Sequence, residues 1–477
     1  MAVIDRGDFG AATSANSLRI VHGGLRYLAR GDFPRMRESI RERSALLRIA
    51  PGLVEPLPVL VPTYRTSLRQ GKFAFRLALA TNDVLSSGRN RGLESTRHLP
   101  RGRSISRSEC LRLFPWFASK GLSGGALWYD ARLRNPERLV FSFLCSASRR
   151  GAVVANYVRA DQVLLQDGAA GGVVARDLIG GDTFRILAKS VVVAAGPWTS
   201  GLTACTLGKA EPDPGTGRAL ALNLVLGREI TSVAVGVPAR TAGKDEFAGM
   251  NRFLFMNPQQ GTTLLGTWYA AAGVGAVTST CERGANQLIE DMNAACPGLG
   301  LSRADLTHYQ WGWLPLKAGR ESGPPLGLAD RPVIVDHGSA GGVRHLFSVE
   351  GVKYTTARAV AQRVVDEVVR DMGHSAAPCR TAVTRLDGAG IDQVPSGLLD
   401  DLLVRRAIKQ EMAVKLGDII RRSGSNELQP GQSRPVLEQV ARVAAAELGW
   451  TVQQQQVQVD EVLRETQLPT AAMEAVG

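Results

Sequence analysis

Residues 3–28 read V-I-D-R-G-D-F-G-A-A-T-S-A-N-S-L-R-I-V-H-G-G-L-R-Y-L. Ala2, Val3 and Ile4 are apolar and read as the end of a buried strand that Asp5 closes. Alone, an aspartate after three apolar residues is an ordinary surface residue. The residues after it give it weight: a Gly- and hydroxyl-rich stretch, then Gly23-Gly24, a pair that permits close backbone approach. A helix is predicted next over 34–48. Asp32 suits its cap and Pro34 its first turn, with Met36, Ile40 and Leu47 on one face and Arg35, Arg37, Arg41 and Arg43 elsewhere.

Further along, 50–125 is rich in Pro, Arg and Gly with weak periodicity, which predicts loops and short helices covering something. The pattern then turns to strands near 151–154, 163–165, 172–174 and 190–196, the last a continuous apolar run ending in glycine. More strand-like pieces at 220–226, 252–255 and 262–266 predict a second, inserted sheet. A helix over 354–370 places Ala357, Val360, Val364 and Val368 on one face. A Pro/Gly/Ala-rich linker over 373–398 precedes a helical C-terminal domain over 399–477.

The chain has 477 residues, long enough for two or three domains, and its 44% hydrophobic content suffices for a large core. Net charge is +13 without a Lys/Arg block or a helix-turn-helix or zinc-finger spacing, so no nucleic-acid partner is expected. An anionic substrate or cofactor, an anionic membrane surface, or a generally Arg-rich proteome each fits that charge. The six cysteines form no C-x-x-C pair, which predicts reduced structural thiols in a cytoplasmic setting, and the six scattered histidines predict no metal site. No apolar run approaches the ~18 residues of a membrane span. The N-terminus does not read as a signal peptide.

The block 3–28 resembles the region after the second strand of FAD-dependent glycerol-3-phosphate dehydrogenases, flavoproteins of the D-amino-acid-oxidase type. An acidic-basic-G-D-F strand end leads through T-S-x-x-S to H-G-G-L-R-Y-L. Four more blocks resemble the family in order: 128–133 with Arg138-Leu139; 151–160; 189–198, K-S-V-V-V-A-A-G-P-W; and 347–358, F-S-V-E-G-V-K-Y-T-T-A-R. Residues 405–422 resemble its helical C-terminal domain. The resemblance implies a mixed α/β plus α+β architecture. A Rossmann-type FAD-binding domain is expected from 1–49, 126–205 and 331–372. A substrate domain built on an inserted antiparallel sheet is expected from 50–125 and 206–330. In such a fold the strand-end acid hydrogen-bonds the dinucleotide ribose, which assigns Asp5. Only four residues precede Asp5, so the fold's first strand and Gly-rich loop are expected upstream of this stretch.

The resemblance further implies FAD held by Asp5, Thr13, Ser14, Ser17, His22, Gly23, Gly24, Leu25, Val158, Ala160, Gly196, Gly351, Val352, Lys353, Tyr354 and Thr355. Arg26, Tyr27 and Lys353 are implied to contact the substrate. A hydride would pass from a substrate C–H bearing a hydroxyl to flavin N5. Expected partners are a small anionic or polyol substrate, a quinone acceptor, a peripheral contact with the inner face of the cytoplasmic membrane, and a second copy in a homodimer.

Four positions depart from the family pattern, two of them Val352, where the family has a second glycine, and Leu220, where it has a lysine. The family's G-x-R-P-L segment reads Gly312-Trp313-Leu314-Pro315-Leu316 here, and a leucine cannot replace a bidentate phosphate donor. Lys317 and Arg320 are the nearest cations in sequence. A family histidine aligns with Asn223, which cannot act as a base. Two alternatives therefore stay open: a flavin enzyme for an unphosphorylated hydroxy or amino acid, and a flavin-less, non-catalytic remnant.

Overall fold

The computed structural model describes residues 1–28, 30–65, 72–209, 217–239, 247, 253–271, 277–317, 327–339, 341–388, 401–422 and 434–466. Its parallel pairings fall mainly in two small sheets. Ala2–Ile4 lies parallel to Val153–Ala155. Val191–Val193 lies parallel to Leu346–Glu350, which also pairs antiparallel with Val333–Asp336. Their strand ends meet where Arg6 stacks over Trp198, 4.1 Å from the ring centroid. An antiparallel meander, Val158–Gln166, Ala169–Asp177 and Thr183–Leu187, packs on the second sheet through Val163, Ala170, Val193 and Leu346.

The largest sheet has nine strands. Its path runs Leu306–Pro315, Arg218–Leu226, Thr262–Ala271, Phe253–Gln259, Ala234–Pro238, Val54–Tyr64, Leu122–Leu133 and Ile20–Val21, with Arg103–Ile105 paired to Leu122–Leu133 off that path. All its pairings are antiparallel except Ala234–Pro238 beside Val54–Tyr64. Leu220, Leu222, Leu224, Leu254 and Leu265 bury one face against Cys281, Ala285, Leu288 and Met292 of the helix Val277–Ala295. Each such leucine contributes about 1.5–3 kcal/mol.

The sequence reading of 50–125 as loops and short helices needs correction. An 11-residue strand, Val54–Tyr64, runs through it and pairs along its whole length with Leu122–Leu133. Its Pro56, Pro58 and Pro62 suppress the strand signal. They share one parity, so their missing N–H groups fall on one edge and leave the antiparallel ladder on the other intact.

The helix Phe33–Ile49 starts where its cap predicts, with Asp32 Oδ1 accepting from the Arg35 amide at 3.2 Å. Leu46, Leu47 and Ile49 fix it to the large sheet through Val21, Val54 and Leu133. Helices Asp401–Glu411, Leu416–Arg422, Arg434–Leu448 and Val452–Thr466 enclose their own core of Val404, Leu416, Ile419, Leu437, Val440 and Val459. The expected linker is described as far as residue 388 and carries no helix or strand up to there. Its remainder, Arg320 and residues 467–477 lie outside the described residues. No described helix is long and apolar enough to cross a membrane.

Candidate active site

The Asp5 carboxylate accepts from the Gly7 amide at 3.0 Å, while burial pushes its pKa up. The Val158 amide donates to the Asp5 carbonyl at 2.8 Å, and half-buried Ala160 follows on the same strand. These three expected cofactor residues therefore stand together. Gly196, at φ +56°, has open space where a side chain would project.

Beyond Gly196 the chain borders a cleft of about 370 Å³, lined by Thr13, Arg19, Trp198, His308, Gln310 and Trp313 among others. Arg421 and Glu465 reach its wall from the C-terminal helices. Ser14 and Ser17 sit in the adjoining turn, where Ser17 Oγ accepts from the Arg19 amide at 3.3 Å. Two of the lining residues, Arg19 and Gln310, are buried, and Arg19 Nε and Gln310 Oε1 lack hydrogen-bond partners. A buried donor and a buried acceptor left open call for a ligand offering both, as the alternating edge of a flavin ring does. With Asp5 at a strand end and open space at Gly196 and Gly351, the residues present fit FAD. His308 stands neutral: burial, then Arg19, lowers its pKa to about 4.

From this cleft two segments, 19–27 and 308–317, lead to a second cluster. His22-Gly23-Gly24 is held by buried Asp130, which accepts from the Gly23 amide at 2.6 Å, from Arg43 at 2.5 Å and from Trp128 Nε1 at 3.0 Å. A side chain at Gly23 would strike the Arg43 guanidinium, and one at Gly24, φ +81°, would strike the Tyr27 ring. The two glycines thus allow Arg43 and Tyr27 to pack here. Leu25 packs beside Tyr27, Met36 and Ile40. Burial lowers the His22 pKa to about 4 against the opposing pull of Asp130, with Lys353 and Arg26 adding to the lowering.

Buried Tyr27 is the hub. His22 meets its ring edge-on at 5.9 Å, Lys353 Nζ lies 4.2 Å from its centroid and the Arg35 guanidinium 5.0 Å. Burial keeps the Tyr27 phenol protonated above its usual range. Lys353 follows open Gly351 and half-buried Val352, and burial, then Arg35 and Arg26, pulls its pKa down to about 8. Arg26 is exposed at the rim. Tyr354 turns away and donates to the Pro136 carbonyl at 2.7 Å, while Thr355 is buried ahead of the helix Ala357–Asp371.

Three participants escape the sequence reading. Arg35 shows there only as a residue off the apolar face of its helix, and neither His308 nor Asp330, which accepts from Arg35 Nη1 at 3.2 Å, carries a motif. Asn223 is buried and accepts from Thr267 Oγ1 at 2.8 Å within the large sheet.

Sequence comparison agrees with this geometry. The family profile described as FAD dependent oxidoreductase matches residues 1–367. The chain belongs to that family of FAD-dependent oxidoreductases. It is similar to the glycerol-3-phosphate dehydrogenase of Synechocystis sp., 30% identical over 404 residues, covering 81% of this chain and 68% of that protein. It is also similar to the mitochondrial glycerol-3-phosphate dehydrogenase of Homo sapiens, 26% identical over 442 residues, covering 87% of this chain and 56% of that protein. The chain thus spans little more than half the length of the mitochondrial relatives it matches. A solved glycerol-3-phosphate dehydrogenase from Bacillus halodurans, complexed with FAD, superposes with a TM-score of 0.70 at 21% identity. That match covers 98% of this chain and 89% of the other, and it shows a shared fold.

Proposed function

We propose that this protein oxidises a small hydroxylated substrate carrying an anionic group, with glycerol 3-phosphate the best-supported candidate. The observation that carries this reading is the gathering of Arg26, Arg35 and Lys353 about Tyr27, two segments away from a cleft whose residues fit FAD. FAD, when bound, would supply a two-electron acceptor for the hydride released from the hydroxyl-bearing carbon, with the hydroxyl proton passing to solvent. The chain's own contribution is binding and orientation. Arg26 and Lys353 attract the anionic end, and the protonated Tyr27 hydroxyl is available as a donor. His22 and His308 stay neutral at pH 7 and add no competing charge.

The direct test is anaerobic mixing of the flavin-loaded protein with glycerol 3-phosphate. Loss of the visible flavin band is expected; an unchanged band would remove this substrate. Leu314 favours a second reading, a hydroxy or amino acid whose carboxylate meets the same cations, and the same assay run with such acids decides between them. Electron delivery to a quinone at a membrane surface belongs to the proposal as well. It is supported by the net charge of +13, and reoxidation of the reduced protein by a soluble quinone tests it.

A further inference from the structure

We propose that Arg35, gripped by Asp330 and stacked on Tyr27, selects the anionic headgroup of the substrate in a chain whose position 314 holds leucine. This rests on the proposed oxidation of an anionic substrate and names the residue that enforces the choice. The headgroup chemistry is that of a phosphate or a carboxylate on a small hydroxylated molecule.

Arg35 lies in the first turn of the helix Phe33–Ile49. Its Nε is 3.4 Å from Asp32 and its Nη1 3.2 Å from Asp330, and its side chain is only 9% exposed. The guanidinium is therefore clamped by two acids and laid against an aromatic ring, the pre-organised state in which a planar cation binds an anion with little further ordering.

The clamp is not neutralised. Asp330 is shared by Arg35, Lys317 and, at 3.8 Å, Arg30. Burial and hydrogen bonds act on its carboxyl in opposite directions, and the bonds from Lys317 and Arg35 help hold its pKa below the usual range. Two carboxylates, Asp330 and Asp32, cannot offset three cations, and Lys353 and Arg26 add two more on the Tyr27 side. Nearby Glu38 is engaged by Arg363 at 3.4 Å. Arg30 and Lys317 are more than half exposed, so the cluster opens to solvent with Arg35 at its floor. Lys317 comes from the segment that carries Leu314, so the charge absent at 314 is restored three residues on and by a residue from a distant helix. An anion entering the cluster relieves the cation–cation repulsion that Asp330 and Asp32 leave unbalanced.

The test is calorimetric binding to the full protein, which needs no turnover. The probes are glycerol 3-phosphate, glycerate and, as a neutral control, glycerol. Arg35→Gln is expected to weaken binding of the preferred anion about tenfold or more while leaving glycerol unchanged. Arg35→Lys should recover part of the loss, and exposed Lys317→Gln should cost less, about threefold. Whichever of phosphate and carboxylate loses more identifies the headgroup. Unchanged anion affinity in a folded Arg35→Gln protein would reduce Arg35 to a structural clip and overturn the proposal. Wild-type protein that binds neither anion would do the same. If Arg35→Gln does not fold, Arg35→Lys carries the test, with undiminished affinity as the overturning result. Arg35-dependent anion binding without flavin bleaching would leave this inference standing and remove the oxidation of glycerol 3-phosphate.

Discussion

Two groups of ions in this molecule have opposite balances. Between the loop after the first strand and the C-terminal helices, four arginines, Arg138, Arg406, Arg421 and Arg422, face four acids, Asp8, Glu411, Asp418 and Glu465. Arg138 and Glu411 form a buried bidentate pair at 2.7 and 2.9 Å, Asp8 and Arg422 are both 1% exposed, and the Tyr157 hydroxyl donates to Asp418 at 2.8 Å. Around Tyr27, Arg30, Arg35 and Lys317 share Asp330, Arg35 also reaches Asp32, and Lys353 and Arg26 add two further cations. Matched, mostly buried charges satisfy one another and call for no ligand, even where Arg421 and Glu465 border the cleft. Unmatched charges at an open mouth call for one. The first group is scaffolding that docks the helical domain onto the loop after the first strand, and the second is the site proposed above for the substrate anion.

The strongest challenge to that distinction is Asp8→Asn. Leaving Arg422 buried without its partner should cost about 3–5 kcal/mol in denaturant unfolding. The double variant Asp8→Leu/Arg422→Leu should recover much of it, because a balanced buried pair is replaceable by apolar packing. No such recovery would mean that this cluster does more than hold domains together.

Acid stability comes next. His308 has a pKa lowered from 6.5 to about 4. The unfolded chain takes up its proton first as pH falls, so stability present above 6.5 is lost as pH drops to about 4, on the order of 3 kcal/mol from this residue. His308→Gln should flatten the pH–stability curve in that window; an unchanged slope would mean that His308 titrates normally. In the unbalanced cluster, Lys353 has a pKa lowered to about 8. Anion affinity should therefore fall as pH rises through about 8, by roughly tenfold, and Lys353→Arg should abolish the fall. A profile flat from pH 7 to 10 in the wild type, measured by the same calorimetry, would exclude Lys353 from the binding charge. The smallest effect is expected from Trp128→Phe, which removes one of three donors to Asp130 and should cost about 1 kcal/mol of stability with little change in anion affinity.

Much of the scaffold is legible in the sequence because its signals are local. The cap at Asp32, the proline at 34 and the apolar face announce the helix Phe33–Ile49, and the apolar run before Gly196 announces a strand. The strand Val54–Tyr64 is hidden because proline counts against strands without regard to which edge its missing donor faces. In the sequence Asp8 belongs to a strand-end motif. Its pairing with Arg422, 414 residues away, shows that it also receives the C-terminal helices.

The sequence by itself determined the family, several of the helices and strands, and the segment carrying His22, Arg26 and Tyr27, since motif and periodicity are properties of neighbours along the chain. Only the tertiary structure decided which charges are spent on one another and which remain for a ligand. Arg35 and Asp330 stand 295 residues apart and meet at 3.2 Å. Coulomb energy depends on distance in space and on burial, neither of which chain separation encodes.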